Sequence, residues 1–215
     1  MSALQLISFN ICPFVQKSVI LLKEKEIEYD INYIDISDPP KWFLDISPTG
    51  KVPVLKVSKS ILFESGVINE YLDEAYGIPL HPKDLIEKAH NRAWMEYINS
   101  FNIFFFQIIM AKDKEAGNNA INELKKQFLG LEKVVKAPWF NGENYSMVDV
   151  SVAPIFVRLS FVKKSFDIDL LDELPKCRQW SDHLLERQSV IESVVDGFNY
   201  ILLEKLKANE SWLIT

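Results

Sequence analysis

An apolar run from Leu4 to Phe9 breaks at Asn-Ile-Cys-Pro and gives way to a segment, Pro13 to Glu26, that carries one apolar face and ends in Lys-Glu-Lys-Glu. Directly after it, Ile27, Tyr29, Ile31 and Tyr33 alternate with polar residues, the period-two pattern of a strand. Strand, helix and strand in that order predict a βαβ unit. A helical crossover of this length returns the chain in its original direction, so the two strands are parallel and the connection right-handed. After a loop rich in Asp and Pro (Ser37 to Pro40), KVPVLKV and SILF read as two short strands separated by Ser-Lys, and ESGVINEYLDEAYG as an amphipathic helix with Gly77 as its stop signal. The order βαβ then ββα is a thioredoxin-like unit.

Beyond GIPLHPKD, which has two prolines and no periodicity, no convincing strand follows. Helices are predicted near Leu85 to Met110, Ala120 to Val135, Met147 to Val162, Pro175 to Arg187 and Val190 to Ala208. Ser146-Met-Val-Asp149 has the form of a capping box, with Asp in place of the usual Glu or Gln. The fold class is therefore α/β plus all-α: a thioredoxin-like domain over residues 1–77, a linker over 78–84 and an all-helical domain over 85–215.

A chain of 215 residues with 48% hydrophobic content can build its core without staples. Its formal charge of −6 repels a phosphate backbone, so nucleic acid is not predicted as a partner. The N-terminus lacks a basic leader, and the greasiest run, Ile103 to Met110, is interrupted by Gln107 and too short to span a bilayer. No membrane partner is predicted, and the location read from this is cytoplasmic. The two cysteines, Cys12 and Cys177, fit a reduced compartment rather than a disulfide scaffold. His81, His90 and His183 stand apart from Cys or acids at ligand spacing, so no metal is predicted.

Chemistry concentrates at Cys12. Proline suits the first helical position, which sets the thiol at the positive end of the helix, where the amides of Phe14 and Val15 favour a thiolate near neutral pH. The alternative is a buried cysteine acting as a small hydrophobe. Position 15 is Val, so no resolving thiol follows and a redox cycle must use an external one. In VDVSVAPIFVRLSFV, Arg158 is the only formal charge between Asp149 and Lys163, so it is paired, snorkelling or facing a polar cleft. The run Ile103, Phe104, Phe105, Phe106 reads as core more than pocket.

CPFVQK, PPKWFLDISPTGKVPVL and FESGVINEYLDEAYG together resemble the glutathione-binding domain of glutathione transferases, most closely the omega-like cysteine class. The likeness is dense over the first 76 residues and continues through SMVDVSVAPIF, which resembles the family's capping-box helix; the helical part also resembles the stringent-starvation type. The resemblance implies glutathione as cosubstrate, a small electrophilic or disulfide substrate, a homodimer, and chemistry in the cleft between the domains. It implies that Val52, before a cis Pro53, pairs its backbone with the cysteinyl part of glutathione, and that Glu64 and Ser65 at a helix start hold the γ-glutamyl end. The same residues also read as a trans proline in an edge strand and as simple N-caps. Phe14 lines the thiol site or packs beneath it. Where similar members place a lysine this chain has Pro39, and Lys41, two positions later, either reaches the glycine carboxylate or stays solvated. Arg158 corresponds to an arginine on the cleft side of its helix, in the second-substrate site. The implied function is a glutathione-dependent thiol transferase or reductase, including dehydroascorbate reduction, acting through a Cys12–glutathione mixed disulfide. Two alternatives stand beside it: conjugation of glutathione to electrophiles, for which Ser8 is the nearest hydroxyl, and a noncatalytic regulatory protein on the same fold, against which the retained Cys12 argues.

Overall fold

The computed structural model describes residues 4–214. Strand β1 (Leu4–Ser8) runs parallel to β2 (Tyr29–Tyr33), joined by helix α1 (Pro13–Glu24), with Leu4 opposite Tyr29 and Ser8 opposite Tyr33. A short helix, α2 (Lys41–Leu44), then precedes β3 (Val54–Val57) and β4 (Ser60–Phe63), which form the predicted hairpin; β3 lies antiparallel to β1, giving the order β2-β1-β3-β4. Helix α3 (Ser65–Ala75) ends two residues before Gly77, whose φ of 61° lies in the left-handed region that glycine accepts without cost. The thioredoxin-like unit is as the sequence pattern predicted, apart from α2.

Helix α1 forms because Val15, Val19, Ile20, Leu21 and Leu22 give it a broad apolar surface, and all five are buried. Its polar end is not a solvated tail. Lys25, just past the helix, donates to the carbonyls of Asp73, Tyr76 and Ile78 and pairs with the buried Asp73 carboxylate at 2.9 Å. One cation thus satisfies the open C-terminus of α3 and fixes α1 against it.

The rest of the described chain is helical: α4 (Leu85–Asn99), α5 (Phe101–Met110), α6 (Lys114–Glu132), α7 (Met147–Phe166), α8 (Pro175–Leu185), α9 (Gln188–Ile191) and α10 (Phe198–Ala208), closed by a 3-10 turn at Trp212–Ile214. Two predicted helices are each divided. Leu85–Met110 bends at Ser100, whose hydroxyl donates to the Tyr97 carbonyl at 2.7 Å. Val190–Ala208 breaks between α9 and α10, where Gly197 takes φ 72°. Phe101, Phe128, Phe156 and Trp180 pack ring to ring through the helical core, with centroids 4.9 to 5.7 Å apart. The run at 103–106 departs from the core reading: Phe105 is buried and Phe104 half-buried, but Ile103 and Phe106 are exposed.

Helix α7 is the hub. Ser146 and Asp149 form the predicted capping box at its start, and Asp149 also accepts from the Phe140 amide (2.8 Å) and the Trp180 indole (2.6 Å). The helix packs on α1, so one core runs through both domains and the site between them is held from each side. No helix among the described residues is long and apolar enough to cross a membrane.

Candidate active site

Cys12 is the N-cap of α1, with Pro13 at the first helical position. Proline brings no N–H, so the first amides free to serve the sulfur are those of Phe14 and Val15, and both act to favour its thiolate. The backbone of Cys12 is held as well: its amide donates to Phe9 at 3.2 Å and its carbonyl accepts from Gln16 at 3.0 Å. Lys17 and Arg158 add favourable charge.

Burial nevertheless outweighs these four groups. Cys12 is 6% exposed, and loss of water raises its thiol above the ordinary cysteine value, with the Val15 and Phe14 amides and the two cations opposing. The expected thiol that ionises near neutral pH is therefore corrected for this closed arrangement. The helix terminus acts as predicted, but side chains from the helical domain cover the sulfur. The cavity left beside Cys12 measures only about 20 Å³, and its walls include Phe9, Ile31, Val194, Val195 and Phe198.

Arg158 lines the same cavity and is 2% exposed. Its guanidinium donates to the Ile11 carbonyl (2.7 Å), the Gln16 side-chain oxygen (2.6 Å) and the Pro154 carbonyl (2.8 Å), and lies 5.3 Å from the Phe198 ring centroid. Burial pulls it down to about 10, with Cys12 acting in the opposite sense, and it stays protonated at neutral pH. No carboxylate lies within ion-pair distance of it among the described residues. What it grips is the backbone immediately before Cys12, across the domain junction.

Two polar residues that the sequence reading passed over also belong here. Gln16, one helical turn past Cys12, and Lys17 beside it are both buried. Lys17 bonds to Asn99 at the end of α4 and lies 5.3 Å from the Phe14 ring; burial pulls its ammonium down to about 8, against the carboxylate of Glu96 and the Cys12 sulfur. The available signal was position: a residue four along from the nucleophile shares its face of the helix.

The remaining candidates spread around the sheet edge. The Val52–Pro53 peptide is cis. Glu64, at φ 68° and ψ 116°, precedes α3 in a backbone conformation that side chains other than glycine rarely adopt. No side chain caps α3, so its first amides are open to a ligand. Ser65 and Gly66 line a cavity of about 380 Å³ together with Lys17, Asn69, Glu96 and Asn99. Lys41, 86% exposed, pairs with Asp45 one turn along α2 at 2.8 Å.

Comparison with known proteins decides what this arrangement belongs to. The sequence profile "Glutathione S-transferase, N-terminal domain" matches residues 11–75, and "Glutathione S-transferase, C-terminal domain" matches 113–183. Glutathione S-transferase omega-1 of Rattus norvegicus is 33% identical over 198 residues, covering 90% of this chain and 81% of that protein. This chain belongs to the glutathione S-transferase family. Its likeness is omega-like. Glutathione S-transferase DHAR2 of Arabidopsis thaliana is 31% identical over 182 residues, covering 83% of this chain and 81% of that protein. The crystal structure of glutathione transferase Omega 3C from Trametes versicolor superposes with a TM-score of 0.82 at 25% identity, covering 91% of this chain and 90% of that one.

For a glutathione transferase the other two candidate groups near or like Cys12 are now informative. Ser8 ends β1 and lines the small cavity, but its hydroxyl donates to the Phe9 carbonyl at 2.9 Å. Cys177 is buried in α8 with its sulfur 3.8 Å from the Phe128 carbonyl. Burial, reinforced by Glu132, pushes that thiol far above the range in which it ionises.

Proposed function

We propose that this transferase is an enzyme that moves thiols, or reduces disulfides, at the expense of glutathione through a mixed disulfide on Cys12. The observation that carries the reading is a lone sulfur at the start of α1, served by two helix-terminal amides, with Val15 where a resolving cysteine would sit and Cys177 sealed in α8. A nucleophile without a resolving neighbour needs an external thiol. The Cys12 thiolate attacks the glutathione sulfur of a substrate–glutathione disulfide; the new Cys12–glutathione bond forms, the substrate sulfur leaves and takes one proton. A second glutathione thiolate then attacks the adduct and releases Cys12 and oxidised glutathione. Relatives named omega and DHAR glutathione transferases support glutathione as the cosubstrate. Conjugation through Ser8 ranks second, because a hydroxyl bonded to a carbonyl must be redirected before it can stabilise a glutathione thiolate.

Glutathione is assigned to the sheet edge beside Cys12. The uncapped start of α3 suits its γ-glutamyl carboxylate, held by the Ser65 amide and hydroxyl, while Glu64 meets the ammonium group. Val52 supplies backbone contacts beside Pro53, Phe14 borders the thiol, and Lys41 stands toward the glycine end. Arg158 belongs to the second-substrate side, where it holds the wall of the cavity. Incubation with oxidised glutathione should add a single glutathione to Cys12, reversible by free thiol and visible by intact mass. The Glu64→Ala, Ser65→Ala double variant should gain it at least about tenfold more slowly, since two charge-assisted contacts are lost. A label on Cys177, or equal rates in the two proteins, would sink the assignment.

The family resemblance also supports a homodimer. Phe63 and Val67 on the first domain and Ile103 and Phe106 on α5 are exposed apolar side chains, which a two-fold packing of one subunit's first domain on its partner's helical domain would cover. Sedimentation at micromolar concentration should give twice the chain mass of 24.9 kDa; a monomer would exclude it.

A further inference from the structure

A bulky second substrate cannot reach Cys12 through the protein as it stands. The cavity beside the sulfur holds about 20 Å³, whereas sites for small molecules run to roughly 300–1,000 Å³. The filler is the break between α9 and α10, which brings Val194 and Val195 against the site and delivers Phe198 behind them. This segment is lightly fastened. Asp196 and Gly197 are exposed, Ser193, Val194 and Val195 are half-buried, and Gly197 at φ 72° supplies a backbone position able to absorb a swing.

Two side chains join that cover to the catalytic helix: Lys23 pairs with Glu192 at 2.9 Å on the exposed side, and Gln16 holds Ser193 beside the sulfur. Gln16 lies a turn beyond Cys12, and both ends of its amide are used. Its oxygen accepts from Arg158 at 2.6 Å, which in turn holds the Ile11 carbonyl, and its nitrogen donates to the Ser193 hydroxyl at 2.9 Å. Ser193 passes its own proton to the Val190 carbonyl at 2.7 Å, so the hydroxyl is oriented to receive the Gln16 amide. The chain Arg158–Gln16–Ser193 is buried at one end and half-open at the other, so Ser193 is where it parts.

We infer that Gln16 is a specificity-determining residue of this transferase: through Ser193 it clasps the 192–198 segment over Cys12, so that slender reactive groups reach the sulfur and bulky ones must wait for the clasp to open. The inference rests on the reading of Cys12 as the nucleophile. Glutathione, approaching from the sheet edge, does not pass the clasp. It therefore selects the second substrate by girth and leaves the cosubstrate alone.

The test compares alkylation of Cys12 in the full-length chain by iodoacetamide and by N-pyrenylmaleimide, with the site confirmed by mass. Ser193→Ala leaves Gln16 bonded to Arg158 and removes the clasp together with the local bond from Ser193 to the Val190 carbonyl. A single neutral hydrogen bond is worth roughly a factor of five in an equilibrium, so the ratio of bulky to slender rates should rise about fivefold. Ser193→Thr, which keeps the hydroxyl, should hold the wild-type ratio. Gln16→Leu should raise it at least as far as Ser193→Ala. A general loosening of the fold would speed both reagents together and leave the ratio unmoved. A ratio unchanged by Ser193→Ala in a protein that transfers thiols overturns the clasp and spares the function. A shifted ratio in a protein that transfers none upholds the clasp and overturns the function.

Discussion

Cys12→Ser is expected to lower glutathione-dependent reduction of a mixed disulfide by about a thousandfold or more, to the level of the uncatalysed exchange. A serine hydroxyl does not ionise at these pH values, and neither the amides of Phe14 and Val15 nor the charges of Lys17 and Arg158 can make it leave or attack a disulfide as sulfur does. The fold should survive, because oxygen replaces sulfur without removing the backbone bonds of residue 12 to Phe9 and Gln16. A cost of about 1 kcal/mol would move the thermal midpoint by about 2–4 °C. Cys177→Ser should keep the rate, since that thiol is sealed beneath α8. Retention of more than a tenth of the activity in Cys12→Ser, or its loss in Cys177→Ser alone, contradicts the mechanism.

The first domain could be read from the sequence because its periodicities are local. The alternation at Ile27, Tyr29, Ile31 and Tyr33 and the glycine stop at Gly77 each act within a few residues, and both appear where predicted. The Ser146–Asp149 box is of the same kind. What escaped were features set by distant contacts. Lys25 stands inside the Lys-Glu-Lys-Glu run, yet a buried carboxylate on α3 and three carbonyls at and beyond its end wait for it. Gln16 and Lys17 carry no local signal of burial, but their side of α1 meets the helical domain. The break after α9 was lost because apolar residues continue through it. Its local mark was Asp196-Gly197, a turn dipeptide inside an otherwise periodic stretch. That omission also bears on the thiol: the break brings Val194, Val195 and Phe198 to the cavity beside Cys12, and helix-terminus reasoning alone leaves out the burial that raises the thiol.

Asp149→Ala is expected to destabilise the protein by about 4 kcal/mol, the second largest effect, although residue 149 takes no part in the reaction. Four donors converge on this carboxylate: the Ser146 amide and hydroxyl at 2.7 Å each, the Phe140 amide at 2.8 Å and the Trp180 indole at 2.6 Å, all of them buried. Alanine leaves each without a partner, at about 1–3 kcal/mol apiece before relaxation. The thermal midpoint should fall by roughly 8–16 °C. Asp149→Asn retains one acceptor oxygen but turns an NH2 group toward a donor, so a loss of about half that size follows. The pH dependence has a definite sign. Burial pushes the Asp149 acid up to about 6, against the hydrogen bonds that oppose it, from an ordinary 3.8. Below about 4 both states are protonated; between 4 and 6 the unfolded chain ionises first, so the folded state binds more protons and loses relative stability as pH rises. The advantage of the wild type over Asp149→Asn should therefore be largest below pH 4 and narrow through pH 6, as read from denaturant midpoints across that range. A gap that widens with rising pH would show that the carboxylate is ionised more readily in the fold than in the open chain, and would reverse the account of how the start of α7 is held.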